Sequence, residues 1–146
     1  MLRVLRAPHI PRMLHGPVLV DRRYIPRYWV TIWNVLRGSE LARTTQLKKL
    51  RAIDSLYEHA EHLFGDGALD KAIGSLDEDC LATLLESWLI SIKNQPRVSE
   101  SDEKRWKSGL TFVSDVIGWI TASAGRHSVC SFRTGSRTTA IGISAR

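Results

Sequence analysis

The sequence is short of most features that announce a chemistry. Its 146 residues hold two cysteines, Cys80 and Cys130, too far apart for a metal-ligand pair and too few for a disulfide framework. Cys80 adjoins an apolar helical run and reads as a small core hydrophobe, which suits a reducing, intracellular setting. No G-x-x-x-x-G-K-[ST], H-E-x-x-H or G-x-S-x-G occurs, so phosphate-loop, zinc-protease and serine-hydrolase chemistry have no motif to stand on. No uncharged apolar stretch approaches the roughly 18 residues of a membrane span. No acid precedes Asp21, so the arginine-bearing start faintly resembles a targeting peptide, but Pro8, Pro11 and Pro17 interrupt it. No Val, Ile and Thr segment alternates with period two for long enough to predict a strand.

What is present is charge, unevenly placed. The formal total is +6. Residues 1–51 carry 11 basic and 2 acidic groups, residues 52–103 carry 3 and 12, and residues 104–146 carry 7 and 1. The chain is therefore basic, acidic, then basic.

Apolar spacing predicts helices between residues 25 and 122. Trp29, Ile32, Trp33 and Leu36 follow an i, i+3, i+4, i+7 pattern that stops at Gly38. A longer helix is expected from Thr44 or Thr45, as N-cap, to Phe64, with Gly65 at its end and one stripe from Leu47 through Leu50, Ile53, Leu56, Tyr57 and Ala60 to Leu63 and Phe64. A short helical stretch around Ala68–Ile73 follows. The next helix should begin at Ser75 or Asp77, where Ser75-Leu76-Asp77-Glu78 fits a capping box, and end before Pro96. The last begins near Ser99 or Ser101, and its broad apolar face from Trp106 to Ile120 predicts a central position. Before Pro26 little regular structure is expected, and residues 123–146 are predicted to be an irregular tail.

Catalytic and metal sites find little support. His59 and His62 lie three apart with Glu58 and Glu61 beside them, a spacing open to a metal, but both fall on the polar side of the helix and read as solvated. Asp77, Glu78 and Asp79 sit where acids favour a helix N-terminus. The long helix is the exception to ordinary patterning. Arg43, Lys48, Lys49 and Arg51 crowd its first turns while Asp54, Glu58 and Glu61 come later. That order opposes the helix macrodipole, at about a few tenths of a kcal/mol per charge. Cations held at a helix start against a local rule suit phosphate. Lys104, Arg105 and Lys107 open the last helix and form a second phosphate candidate; ion pairing with Glu100, Asp102 and Glu103 is the competing reading. Arg22, Arg23 and Arg27 belong either to a DNA contact or to a solvated tail.

Three stretches are similar to something familiar. Val18-Leu19-Val20-Asp21, Ile25-Pro26-Arg27-Tyr28-Trp29-Val30-Thr31-Ile32-Trp33, and Thr44-Thr45 leading into Leu47-Lys48-Lys49-Leu50-Arg51-Ala52-Ile53-Asp54-Ser55-Leu56-Tyr57 resemble the N-terminal region of phage-type integrases of the tyrosine recombinase family. Gly67-Ala68-Leu69-Asp70 and Arg105-Trp106, with Phe112-Val113-Ser114-Asp115-Val116-Ile117, fit the same group, so the likeness spans residues 17–121. The resemblance implies a helical, SAM-like core-binding domain that forms half of a clamp around duplex DNA. In that family a separate domain cuts the strands with arginines, a lysine, histidines and a tyrosine, one histidine lying in an H-x-x-R motif. None of His15, His59, His62 or His127 has an arginine three residues on; His9 does, in His9-Ile10-Pro11-Arg12, ahead of the stretch that carries the likeness.

The resulting expectation is an all-α protein: a basic arm over residues 1–24, a four-helix SAM-like core-binding bundle over 25–122, and a tail over 123–146 that a truncation or frameshift would explain. Its function is expected to be DNA binding in integrase-like recombination, without catalytic residues, metal or cofactor. The expected partners are double-stranded DNA and other recombinase subunits, in a bacterial cytoplasm, with no membrane and no small-molecule ligand. Two rivals stand beside it. One is a protein-interaction module built on the Trp29/Trp33 face, and the other a mobile-element remnant with no selected function.

Overall fold

The computed structural model describes residues 1–12, 15–96 and 100–125. Two short strands, β1 (Leu2–Leu5) and β2 (Gly16–Leu19), precede α1 (Tyr28–Leu36), a 3-10 turn (Gly38–Glu40), α2 (Arg43–Phe64), α3 (Ala68–Gly74), α4 (Glu78–Lys93) and α5 (Glu100–Gly125). The chain is mostly helical, with little sheet. The tail expected over 123–146 begins inside α5, which continues to Gly125, and its residues 126–146 lie outside the described residues, Cys130 among them.

The N-terminal segment departs from expectation. β1 and β2 pair antiparallel with Leu2 opposite Leu19 and Val4 opposite Pro17. Gly16 to Val20 are all buried, and Leu19 is 1% exposed within the main core. Four-residue strands carry too little alternation to show a period. In a two-stranded sheet, moreover, a proline can sit where no N–H is required. The Pro17 carbonyl accepts a hydrogen bond from Asn34 Nδ2 of α1 at 2.9 Å, tying hairpin to bundle.

Helix ends follow local chemistry in places and tertiary partners in others. α1 has no side-chain cap of its own; Asp70 of α3 accepts from its first N–H groups, Tyr28 at 3.0 Å and Trp29 at 3.3 Å. The N-cap of α2 is Ala42, which offers no side chain, so neither Thr44 nor Thr45 caps it. Gly65, at φ 98°, ends that helix as its position required. Asp77 caps α4 by accepting from the Cys80 N–H at 3.1 Å, whereas the Ser75 hydroxyl turns back to the Lys71 carbonyl, so no Ser75–Glu78 capping box forms.

The core joins Leu50, Ile53, Leu56 and Tyr57 of α2 to Leu81, Leu84, Leu85 and Trp88 of α4 and Leu110, Phe112, Val113 and Val116 of α5. α5 touches each of the other four α-helices, the central place its broad apolar face predicts. The predicted stripe on α2 overreaches at its end, where Leu63 and Phe64 are exposed.

Candidate functional site

α2 and α5 lie side by side, and the polar edge of their seam is where charge gathers. From α2 come Lys48, Arg51, Ala52 and Ser55, spaced i, i+3, i+4, i+7 and so on one face. From α5 come Glu100, Lys104, Arg105 and Ser108, also one stripe. Together they line an open groove of about 630 Å3 holding four cations and one carboxylate.

The cations differ in freedom. Lys48 and Arg51 are exposed on α2. Lys104 Nζ stands 4.0 Å from Glu100, with both side chains mostly in solvent, an arrangement that holds the lysine weakly. Arg105 is steadier, its guanidinium 3.7 Å from an Asp102 carboxylate that is only 7% exposed. The groove floor is built from the core. Trp88 of α4 is 1% exposed and donates its indole N–H to Ser55 Oγ at 3.2 Å.

The sequence groups are thus partly brought together and partly dispersed. Lys48 and Arg51 meet Lys104 and Arg105 in one groove, one to two turns inside α2 rather than at its free N–H groups. Arg43, at the first turn, is exposed and lays its guanidinium over Gly16 of β2. Lys49 is half-buried and outside the groove lining. Lys107 faces the other side of α5, where it borders a depression of about 410 Å3 with Leu89, Ile92, Lys93 and Trp106. Arg22 is exposed and bound to Asp66 at 2.6 Å, and Arg23 is exposed.

Arg27 is turned inward rather than exposed to a partner. It is 6% exposed, holds Glu61 with two 3.0 Å hydrogen bonds, and lies 4.6 Å over the Tyr57 ring. Burial opposes its charge, but Glu61 more than restores it, and the same pair of hydrogen bonds holds the Glu61 carboxyl below its usual range. Tyr57 donates onward to Asp70, whose pKa burial raises despite that bond and the α1 N–H groups it caps. Arg27 therefore serves the interior, an outcome that a pattern of arginines between prolines does not reveal.

Other candidates resolve similarly. His59 Nε2 lies 2.9 Å from Ser87 Oγ, and burial, then the neighbouring His62, lowers its pKa. Among the described residues no group of three or more His, Cys, Asp or Glu is placed to hold a metal ion. Among them, too, no helix is long and apolar enough to cross a membrane. The Trp29/Trp33 face is largely internal: Trp33 is 3% exposed and donates to Asp115 of α5 at 3.1 Å. Ser55 and Ser108 also line the groove, and neither is marked in the sequence, because a single serine on a helix gives no local signal.

Compared with protein families, curated proteins and solved structures, the chain matches none.

Proposed function

We propose that the α2–α5 groove grips the sugar–phosphate backbone of duplex DNA, and that the chain acts as the core-binding module of an integrase-like recombinase, with a four-helix SAM-like arrangement supported on one side by the N-terminal hairpin. The reading assigns strand cleavage to no residue of this sequence. One observation carries it: Lys48 and Arg51, remote in sequence from Lys104 and Arg105, line a single open groove with them, where the opposing carboxylates are Glu100 beside Lys104 and Asp102 beside Arg105. Four cations on a convex helical surface would be ordinary solvated charge. Converging across a seam, they form a track that a polyanion neutralises together. The likeness of residues 17–121 to integrase N-terminal regions points to the same ligand.

Anisotropy of a labelled duplex titrated at several salt concentrations tests this. With Lys48, Arg51, Lys104 and Arg105 each neutralising a phosphate, about four are engaged, so log K should fall against log salt with a slope of about −3.5. Replacing Lys48 and Arg51 with Ala should make the slope shallower by about 2 and weaken all duplex sequences alike. Weak binding that is indifferent to salt would overturn the reading.

A further inference from the structure

We infer that Ser55 is an uncharged phosphate ligand of the α2–α5 groove, held in place by Trp88 and aimed by it; this rests on the phosphate-binding reading above. Hydroxyls on exposed helix faces ordinarily return their proton to the carbonyl one turn back. On the opposite wall Ser108 does this, donating to the Lys104 carbonyl at 2.9 Å, and elsewhere on α5 Thr111 donates to that of Lys107 at 2.9 Å. Ser55 does not. Its oxygen accepts the Trp88 indole N–H from below at 3.2 Å, and among the described residues its own proton goes to no acceptor.

An oxygen engaged on its core side by an N–H donor must rotate its hydrogen elsewhere. For Ser55 the open direction is the groove it lines with Arg51, Lys104 and Arg105. A phosphodiester presents two non-bridging oxygens, one for the guanidinium and ammonium groups and one for this hydroxyl. The indole beneath cannot drift, because it is packed against Gly109 of α5, where an added Cβ would stand 2.4 Å from Trp88 Cζ3. Gly109, Trp88 and Ser55 thus form a chain of contacts that fixes a neutral donor among mobile cations.

The test separates a hydroxyl from a charge. Ser55→Ala should bind duplex DNA about tenfold more weakly at every salt concentration, since a hydrogen bond to a charged group is lost. Its salt slope should equal that of the wild type, because no counterion-releasing cation is removed. Ser55→Thr keeps the hydroxyl and should bind within about twofold of the wild type, the scale of a small steric adjustment. Ser55→Cys, which fills the same space with a weak donor, should behave as Ser55→Ala and covers the case in which the alanine variant does not fold. If the wild type binds and Ser55→Ala or Ser55→Cys binds equally well, the serine inference falls while the groove stands. If the wild type binds no duplex, both fall.

Discussion

At the scale of single residues, the Arg27–Glu61 pair shows how a charge is withdrawn from the surface. Arg27 satisfies Glu61 through Nη1 and Nη2 of its guanidinium and covers the Tyr57 ring, so neither charge faces water alone. Arg27→Ala would strand a carboxylate that is 13% exposed and should cost about 3 kcal/mol in urea denaturation at neutral pH. The pair also has a pH signature. Glu61 has a folded pKa below its unfolded value, chiefly because Arg27 hydrogen-bonds its carboxylate. Its contribution is therefore complete above the unfolded value of about 4.3 and is lost as pH falls through the lower folded one. The advantage of the wild type over Glu61→Gln should accordingly shrink on acidification, as denaturation from pH 7 to pH 3 would show. Asp70 has the opposite sign: burial raises its folded pKa, so its contribution is present in acid and lost as pH rises.

Among the elements, α5 carries two interior glycines, Gly109 and Gly118, that periodicity cannot tell apart. At Gly109 an added methyl would meet Trp88 at 2.4 and 2.6 Å, and that indole is buried and anchored to Ser55. At Gly118 nothing lies within 4 Å. Alanine favours a helix interior over glycine by about 1 kcal/mol. Gly118→Ala should therefore raise the midpoint of thermal unfolding. Gly109→Ala should lower it, because overpacking of about 1–3 kcal/mol outweighs the gain in propensity. Two glycines on one helix, with opposite signs, make a direct test of the packing between α5 and α4. Helix ends divide along the same line. Asp77 and Gly65 do what their own side chains dictate, whereas α1 borrows Asp70 from α3 and α2 starts on Ala42 with no side-chain cap.

For the molecule as a whole, the charge pattern changes meaning. Much of the acidic middle is committed to internal partners: Glu61 to Arg27, Asp66 to Arg22, Asp70 to α1, and Asp77 to its own helix start. Along the α2–α5 seam cations prevail, with Lys48 and Arg51 exposed beside the weakly held Lys104 and the Asp102-bound Arg105. The N-terminal segment changes meaning too, from a free basic arm to a hairpin that closes one end of the core. Leu19→Ala, truncating a side chain that is 1% exposed, should cost about 2–5 kcal/mol and leave unfolding a single transition with an unchanged m-value. A separate early transition, or no loss at all, would show that the hairpin folds apart from the bundle.

The helices are legible in the chain alone, because apolar residues at spacings of three and four mark a buried face wherever the chain lies. So are the cations on the polar sides of two of them, from Lys48 to Arg51 and from Lys104 to Lys107. Which of those cations meet is set by long-range packing, since Lys48 and Lys104 become neighbours where α2 lies on α5 and Lys107 is turned away by the same packing. Packing also took Arg27 into the interior, drew β2 into the core, and gave Ser55 its partner in Trp88. Periodicity reports which face of a helix avoids water. Which neighbour covers that face, and what stands along its edge, depends on contacts between residues far apart in the chain.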